Sequence, residues 1–261
     1  MRQWLSKFGN SPPKPRVAGR PPRLPAGERV YAVGDVHGRL DLLREMEHHI
    51  ARDLEASRPA GPVQRVYLGD YVDRGPDSRG VIEHLCGARR RADAPICLMG
   101  NHDWWFREFL EGGDVAAAWL ASGGAATLAS YGVPDLPSFG DDAAWARLRG
   151  RLRRRVPAEH RRFLNGLELM ARRGDYVFAH AGVRPGLPLA RQDGRDLLFI
   201  REPFLSDASD LGAVVVHGHT VVTEPEIRAN RIGIDTGAYW TGRLTALVLE
   251  EDDQRFLTTG R

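Results

Sequence analysis

The sequence contains little lysine and cysteine, and it has no long apolar run. Of its 37 basic residues, only Lys7 and Lys14 are lysines. No apolar stretch approaches the roughly 18 residues that a membrane span needs, and the start of the chain lacks the charged-then-apolar pattern of a secretory leader. We therefore expect a soluble, cytoplasmic protein.

The two cysteines do not form a recognisable motif. Cys86 falls in a helix-like run and Cys97 in the strand-like run 95–99. Neither a CxxC pair nor a catalytic Cys/His signature accompanies them. Two buried thiols are the favoured interpretation, and a disulfide between them is the alternative.

Arginine supplies nearly all of the positive charge, yet the formal net charge is only +3. Such a bias does not by itself predict nucleic-acid binding. A solvated helix face is the simpler interpretation of one dense basic run, and a patch for phosphorylated or acidic partners is the other. The run consists of Arg147, Arg149, Arg151, Arg153, Arg154, Arg155, Arg161 and Arg162.

The composition predicts one large folded unit behind a short arm. With 261 residues, of which 42% are hydrophobic, the chain can bury a full core. Residues 1–27 are rich in proline and arginine and predict a flexible, extended arm. Trp4, Leu5 and Phe8 have helical spacing there, but a frayed leader is the simpler interpretation. Residues 28–261 are expected to form the catalytic domain.

Strand-like runs at 29–33, 65–68 and 95–99 each lead into a polar loop and then into a helical pattern. Repeated strand–loop–helix units predict a largely parallel sheet whose site lies along the edge where the strands end. A helical region is expected over about 104–170, where we interpret the tryptophans as packing residues.

The second half of the chain returns to strands. Runs at 176–179 and 213–216 again lead into histidine-bearing loops. The alternating stretches 231–236 and 244–249 are predicted to be antiparallel strands that close a second sheet.

Five of the predicted strands thus end in small glycine-flanked clusters of Asp, His and Asn. Glycine lets the backbone turn sharply and lets other segments approach within ligand distance. A mixture of imidazole nitrogen with carboxylate and amide oxygen suits Mn, Fe or Zn better than Mg or Ca. We therefore expect two divalent metal ions, either Mn²⁺ or a pair of Fe and Zn. Asp70 could bridge them, and Arg74 could grip a phosphate.

In their order along the chain, these clusters resemble the motifs of the phosphoprotein phosphatase family of calcineurin-like metallophosphoesterases, particularly its bacterial and phage serine/threonine phosphatases. The resemblance spans about residues 29–249 and implies an α/β fold in which two mixed β-sheets pack as a sandwich flanked by helices, with a helical insert. The motifs are GDVHGR at 34–39, GDYVDRG at 69–75, GNHD at 100–103, HAG at 180–182 and GHT at 218–220.

Carried over position by position, the resemblance implies a set of metal ligands. Asp35 and His37 would hold one ion, and Asp70 would bridge to the other. The second ion would be held by Asn101, His180 and His219.

The resemblance also implies the catalytic groups. His102 would be the general acid, oriented by Asp73, and Arg74 would bind phosphate. Arg201 would assist, although Phe199 stands where the bacterial members have tryptophan. His217, two residues before His219, faces the same way if the strand continues, so support of the site or substitution as a ligand is an alternative for it, and not the favoured interpretation.

Three functions are open at this point. The first is hydrolysis of phosphoserine and phosphothreonine, and possible tolerance of phosphotyrosine, in a phosphorylated protein or peptide by metal-activated hydroxide. The second is symmetrical hydrolysis of diadenosine tetraphosphate, because that enzyme class shares several of the motifs. The third is a non-catalytic, Arg-rich adaptor on a degenerate phosphatase scaffold, against which the complete ligand set argues.

Overall fold

The computed structural model describes residues 17–138 and 140–260. The expectations for Trp4, Leu5 and Phe8 therefore lie outside the described residues.

The first part of the fold alternates strands with helices, as the sequence predicts. The turn Gly75–Ser78 leads into the second helix, where Asp77 caps the first turn by accepting from the backbone N–H of Gly80 at 2.8 Å. The elements are β1 (Arg29–Val33), α1 (Leu40–Ala56), β2 (Val63–Tyr67), α2 (Ser78–Arg89), β3 (Ile96–Cys97) and α3 (Asn101–Glu111).

The predicted helical region follows, with four helices after α3. These are α4 (Ala116–Ala121), α5 (Gly124–Ser130), α6 (Asp142–Arg155) and α7 (Ala158–Asn165). In α6, Trp145, Leu148 and Leu152 form the buried stripe, and most arginines of the dense basic run are exposed. This exposure agrees with the solvated helix face of the simpler interpretation, and a patch for phosphorylated or acidic partners stays the alternative.

The remaining elements are mostly strands. They are β4 (Met170–Arg173), β5 (Tyr176–Ala179), the 3-10 helix Leu189–Arg191, α8 (Gly194–Phe199), β6 (Val214–His217), β7 (Glu226–Ile227), β8 (Arg231–Gly233), α9 (Ala238–Thr241), β9 (Thr245–Glu250) and β10 (Asp253–Thr258).

These strands form two five-stranded mixed sheets. The first has the order β10-β9-β1-β2-β3, and the second has the order β4-β5-β6-β8-β7. In the first sheet β1, β2 and β3 are parallel, whereas β9 and β10 are antiparallel. The predicted fold class, an α/β sandwich of two mixed sheets with flanking helices, is confirmed.

Strand periodicity explains how the first sheet is covered on both faces. Val30 and Ala32 of β1 pack with apolar residues of the second sheet, whereas Tyr31 and Val33 pack against the helices. Because side chains alternate along a strand, one short run of apolar residues serves both cores.

The tail differs from its prediction. We expected 231–236 and 244–249 to pair with each other, but β8 pairs with β6 and β7 in the second sheet. Strand β9 pairs with β1 and β10 in the first sheet. The connection through α9 crosses between the sheets, and alternation alone does not reveal the partner of a strand.

Residues 17–27 also differ from the extended arm that we expected. Val17 and Leu24 are buried in the core between the sheets. Arg20 forms a bidentate pair with Asp175 at 2.6 and 3.1 Å. These contacts hold this part of the predicted arm on the second sheet.

Both cysteines are free and buried, so the favoured interpretation is confirmed. Burial raises the pKa of Cys86 to about 11 and that of Cys97 to about 12. Neither thiol is a reactive nucleophile near neutral pH.

Glu47 links α1 to β2 and α2. Its carboxylate accepts from the Tyr67 hydroxyl at 2.8 Å and pairs with His84 Nε2 at 2.7 Å. Burial opposes ionisation of Glu47, but hydrogen bonds from His84 and Tyr67 outweigh it and hold the pKa of Glu47 below its ordinary value.

Replacing this carboxylate should reduce stability in a pH-dependent way. A depressed pKa contributes stability above the unfolded value of about 4.3, and the contribution is lost as the pH falls through the folded pKa. Glu47→Gln should therefore lower the free energy of unfolding by about 1 kcal/mol at pH 7. At about pH 3 the substitution should leave the free energy of unfolding almost unchanged. Urea denaturation at both pH values measures this. Glu55→Gln, exposed on the same helix, is the control, and an equal loss at both pH values would contradict the assignment.

Candidate functional site

The five predicted clusters converge at one edge of the sandwich. In the first sheet β1, β2 and β3 are parallel, and in the second sheet β5 and β6 are parallel, so the carboxyl ends in each set lie together. Backbone hydrogen bonds join the loops: His37 N–H donates to the Asp70 carbonyl at 2.8 Å, and Gly218 N–H donates to the His180 carbonyl at 2.8 Å.

Asp70 lies at the centre of this edge. Among the described residues, two groups could hold a cation: His37, Asp70 and His102, and Asp70, His180 and His219. The Asp70 Oδ2 atom lies 3.5 Å from His37 Nε2 and 3.5 Å from His180 Nε2. Asp70 thus belongs to both groups, as a bridging ligand would, and the bridging role stays a prediction.

Backbone carbonyls set the tautomer of two histidines. His37 Nδ1 lies 2.9 Å from the Val72 carbonyl, and His180 Nδ1 lies 3.0 Å from the Leu68 carbonyl. Because a carbonyl only accepts, Nδ1 carries the proton and Nε2 presents a lone pair to Asp70. Burial lowers the pKa of both imidazoles, which keeps them in the neutral, metal-binding form.

Asn101 completes the second group. Its Oδ1 atom lies 2.9 Å from His180 Nε2 and 2.9 Å from His219 Nδ1. With Nδ1 of His180 protonated, its Nε2 atom and the Asn101 oxygen are two acceptors face to face, an arrangement that a cation between them would stabilise. Burial lowers the pKa of His219 to about 3, and the positive charge of Arg201 adds to this.

The Asp35 carboxylate is also suited to bind a cation. Its Oδ2 atom accepts from the His219 backbone N–H at 3.0 Å, whereas its buried Oδ1 atom has no hydrogen-bond partner in the described part of the chain. Burial and the nearby Asp235 and Asp70 carboxylates raise its pKa well above the ordinary value. A buried, unpaired carboxylate oxygen among other carboxylates requires a positive charge. Asp35 lies outside the two compact groups, however, and the structure groups His102 with His37 and Asp70.

Asp235 is a site residue that we missed. Its carboxyl group accepts from the Gly237 backbone N–H at 2.9 Å, and burial raises its pKa to about 6. We had placed Asp235 inside an antiparallel strand. The signal was present, because Asp235 follows β8 and precedes a glycine, the same pattern that marks the other clusters.

The backbone is strained where the site residues lie. Left-handed φ angles are costly for residues other than glycine, at about 1–3 kcal/mol each, and they persist where the surrounding structure enforces them. Outside the site, Ala18 and Glu251 share this conformation. Within it are His37 (φ 43°), Asp70 (51°), Asp73 (73°), Arg74 (66°) and His219 (60°).

Two glycines allow the carboxylates to approach other loops. A Cβ atom on Gly100 would lie 2.0 Å from Asp70 Oδ1, and one on Gly218 would lie 1.9 Å from Asp35 Oδ1. Neither distance is sterically possible, so any side chain at these positions would displace a predicted ligand.

His102 and Asp73 form a buried pair. His102 Nδ1 lies 2.7 Å from Asp73 Oδ2, and the orienting role of Asp73 stays a prediction. The Asp73 carboxylate also accepts from Trp119 Nε1 at 2.9 Å and from the Thr127 hydroxyl at 2.6 Å. We interpreted the tryptophans as packing residues. Trp119 does stack on Phe106, but it also holds Asp73.

Arg74 projects over the two imidazoles of the first group. Its NH1 and NH2 atoms lie 3.1 Å from His37 Nε2 and 3.1 Å from His102 Nε2. Its guanidinium lies over the Tyr239 ring, 4.7 Å from the centroid. Tyr239 of the short helix α9 thus helps to orient Arg74. We missed it because a single aromatic residue in a one-turn helix carries no distinctive pattern.

Asp103, which directly follows His102, joins two site loops. Its carboxylate accepts from the backbone N–H groups of Gly100 and Tyr71, each at 2.9 Å. It therefore fixes the loop of Asp70 to the start of α3. Its position in the first turn of a helix was the signal for such a capping role.

The structure places Arg201 near the second group but turns His217 away from the site. Arg201 is exposed, and its charge helps to lower the pKa of His219, which places it beside the second group. The alternative in which the strand continues and His217 faces the site is wrong. Its ring packs on Phe204 and its Nε2 atom lies 3.5 Å from Arg231. Because β6 ends at His217 and His219 has a left-handed φ, the alternation does not continue.

The match to a known family spans all ten predicted site residues. Residues 28–245 match the sequence profile described as calcineurin-like phosphoesterase. The chain belongs to the calcineurin-like phosphoesterases. This family implies divalent metal ions, and the two groups that share Asp70 are its candidate metal-binding residues.

Two individual relatives are named as hydrolases of bis(5'-nucleosyl) tetraphosphates. The chain is 28% identical over 232 residues to a bis(5'-nucleosyl)-tetraphosphatase PrpE [asymmetrical] of Bacillus thuringiensis, covering 82% of this chain and 88% of that protein. The same values hold for a PrpE of Bacillus anthracis.

Solved structures share the calcineurin-like phosphoesterase fold at low identity. A protein provisionally described as a diadenosine tetraphosphatase has a TM-score of 0.59 at 21% identity, covering 90% of this chain and 95% of that chain. A cold-active protein-tyrosine phosphatase of a Shewanella species has a TM-score of 0.53 at 19% identity, covering 90% and 83%. At these identities the likeness shows the fold alone. Among the described residues, no helix is both long and apolar enough to cross a membrane.

Removing the shared carboxylate should affect both metal positions. We expect the wild type to bind two divalent ions per chain after Mn²⁺ loading. Asp70→Asn should weaken both by more than about 100-fold, since the loss of mere outer partners already costs about 10–100-fold. Elemental analysis after dialysis and titration calorimetry measure this. Asp93→Asn, at an exposed aspartate outside the site, is the control. Two tightly bound ions in Asp70→Asn would contradict the shared-ligand geometry.

Proposed function

We propose that this protein is a metal-dependent hydrolase of bis(5'-nucleosyl) polyphosphates that cleaves the polyphosphate asymmetrically. The observation that carries the proposal is the likeness, across 82% of the chain, to proteins named asymmetrical bis(5'-nucleosyl)-tetraphosphatases. Symmetrical cleavage, which the motifs alone had brought into consideration, has no support among these names. The convergence of the predicted ligands argues against the adaptor on a degenerate scaffold.

The residues of the site suit a pair of divalent ions. We propose Mn²⁺, or Fe with Zn, because the donors are imidazole nitrogens mixed with carboxylate and amide oxygens. Asp35 and His37 would hold one ion, Asn101, His180 and His219 the other, and Asp70 both. Such ions supply water of lowered pKa and neutralise phosphoryl charge when bound.

Two arginines extend the positive charge over the site for an anionic substrate. Arg74 lies between His37 and His102 and is oriented by Tyr239. Arg201 lies at the other group and is exposed. A guanidinium on either side of the shared Asp70 would position a chain of several phosphates, because its planar fork matches phosphate oxygens.

A second candidate is the hydrolysis of phosphoserine and phosphothreonine, and of phosphotyrosine, in proteins or peptides. The buried His102–Asp73 pair favours it, because a general acid matters most for a poor leaving group. An alkoxide must be protonated as it leaves, whereas a nucleotide phosphate depends much less on protonation. His102 would give that proton, and Asp73 would hold its imidazole in the required orientation. This candidate shares the metal site and both arginines with the first.

Product analysis separates the candidates. The Mn²⁺-loaded protein should convert diadenosine tetraphosphate into equal amounts of AMP and ATP, resolved by anion-exchange chromatography. A phosphoserine peptide in a parallel reaction should release phosphate more slowly. Formation of ADP alone would indicate symmetrical cleavage, and rapid peptide dephosphorylation with an intact dinucleotide would establish the second candidate in place of the first.

The role of His102 can be tested by the leaving group. If His102 is the acid, His102→Asn should reduce kcat for a phosphoserine peptide by about 10²–10⁴-fold. The loss for 4-nitrophenyl phosphate should be much smaller, because its leaving group needs little protonation. His84→Asn, which changes a histidine outside the site, is the control. Equal losses on both substrates would instead make His102 a metal ligand, as its place in the first group allows.

A further inference from the structure

A cavity of about 850 Å³ lies between α3 and α8, and one of its lining residues, Trp105, contacts the ring of His102. Three aromatic side chains line it: Trp104 and Trp105 from α3, and Phe199 from α8. Both indoles meet the Phe199 ring edge-on, with centroids 5.6 and 5.5 Å apart. Small-molecule pockets commonly measure roughly 300–1,000 Å³, so this α3–α8 cavity has room for a nucleoside.

Both walls of the α3–α8 cavity lead to the phosphate site. Helix α3 begins with Asn101 and His102, and the Trp105 ring touches the His102 ring at 5.1 Å between centroids. Helix α8 ends at Phe199, two residues before Arg201. A substrate held by its phosphates at the site could therefore place its next group in the cavity.

The rim of the cavity is polar and carries positive charge. Arg107 and Arg195 lie there together with Asp114, and Arg107 is paired with Glu108 at 2.9 Å. Arg195 is exposed, and its guanidinium forms no ion pair with any described residue. The Arg195 guanidinium favours a ligand that carries phosphates, and the Asp114 carboxylate can accept from an amino or hydroxyl group. An aromatic interior with a cationic rim matches a planar base attached to an anion.

We propose that the α3–α8 cavity binds the base of one nucleoside of the substrate by stacking on its indole rings, so that Trp104 and Trp105 determine the substrate class. The inference rests on the proposed function, since it assigns a place to the nucleoside of a bis(5'-nucleosyl) polyphosphate. Every base has a π-face, so stacking provides affinity without selecting a particular base. An apolar side chain of a phosphopeptide is the competing occupant.

A binding experiment tests the cavity without cleavage. Calorimetry on the Mn²⁺-loaded protein would compare AMP with ribose 5-phosphate, which differ by the base alone. Stacking on an aromatic side chain predicts that AMP binds about tenfold more tightly. Equal affinities in the wild type would overturn the proposal.

Two neighbouring residues of α4 offer a matched pair of variants. Ala118 is exposed and lines the α3–α8 cavity, so Ala118→Trp fills the cavity without removing a packing contact. It should abolish the preference for AMP. Ala117 is exposed and lines a different cavity, so Ala117→Trp should retain the preference. Retention in both variants would overturn the proposal.

Substituting Trp104 tests directly whether its indole ring stacks on the base. Trp104→Ala should reduce the preference for AMP about tenfold, and Trp104→Phe should restore most of it, because a smaller aromatic ring still stacks. Circular dichroism shows whether each variant is folded. No difference between the two variants would overturn the stacking assignment.

The outcomes separate this inference from the proposed function. A preference for AMP that Ala118→Trp removes, in a protein that leaves diadenosine tetraphosphate intact, would overturn the proposed function and support a base-binding cavity. Cleavage of diadenosine tetraphosphate to AMP and ATP, with no preference for AMP in the binding experiment, would support the proposed function and overturn the base-binding cavity. Loss of phosphopeptide binding in Ala118→Trp, with no preference for AMP, would assign the cavity to an apolar side chain and overturn the inference.

Discussion

The site depends on one buried carboxylate shared between two groups of imidazoles. Asp70 Oδ2 is equidistant, at 3.5 Å, from His37 and His180, which come from different sheets. Burial opposes its ionisation, and the neutral imidazoles of His37 and His180 carry no charge that offsets the carboxylate. Its Oδ1 atom accepts from the His102 backbone N–H at 3.0 Å, and a cation between the two groups would balance its charge in the interior, where an unpaired charge is costly.

Keeping Asp70 there requires the rest of the architecture. Parallel strands bring the loops of each sheet to one edge, and Asp103 pins the Asp70 loop to α3. Left-handed backbone at Asp70 and at its neighbours is tolerated because these hydrogen bonds enforce it. The helical insert contributes as well, since Trp119 and Thr127 hold Asp73 against His102. The insert is thus part of the support of the site and not only a cover for the first sheet.

In the proposed function, the site combines a phosphate-binding half with a more selective surrounding. The metal-binding candidates and Arg74 would recognise charge and phosphoryl geometry, which esters and anhydrides share. Discrimination between leaving groups would then come from groups further out, such as the aromatic residues of α3 and α8. One fold can host different substrates, and proteins that share this fold carry names for nucleotide and for protein substrates.

The sequence by itself determined the strand–loop–helix units of the first half, the helical region after them and the clusters of Asp, His and Asn, because strand ends followed by such glycine-flanked residues leave a local pattern. The resemblance of these motifs to a known family supplied the sandwich of two mixed sheets and the roles of the ten candidate site residues, among them Arg201, which belongs to no cluster. The sequence did not reveal Asp235, Tyr239, Trp119 or the orientation of His217, and it paired the tail strands wrongly. Those features arise from contacts between distant segments. Strand β9 pairs with the neighbouring β10 but also with β1, where Val33 lies opposite Ala246 from the other end of the chain. Trp119 reaches Asp73 only after α4 packs on α3. Local pattern decides which side chains are available, and packing decides which of them meet.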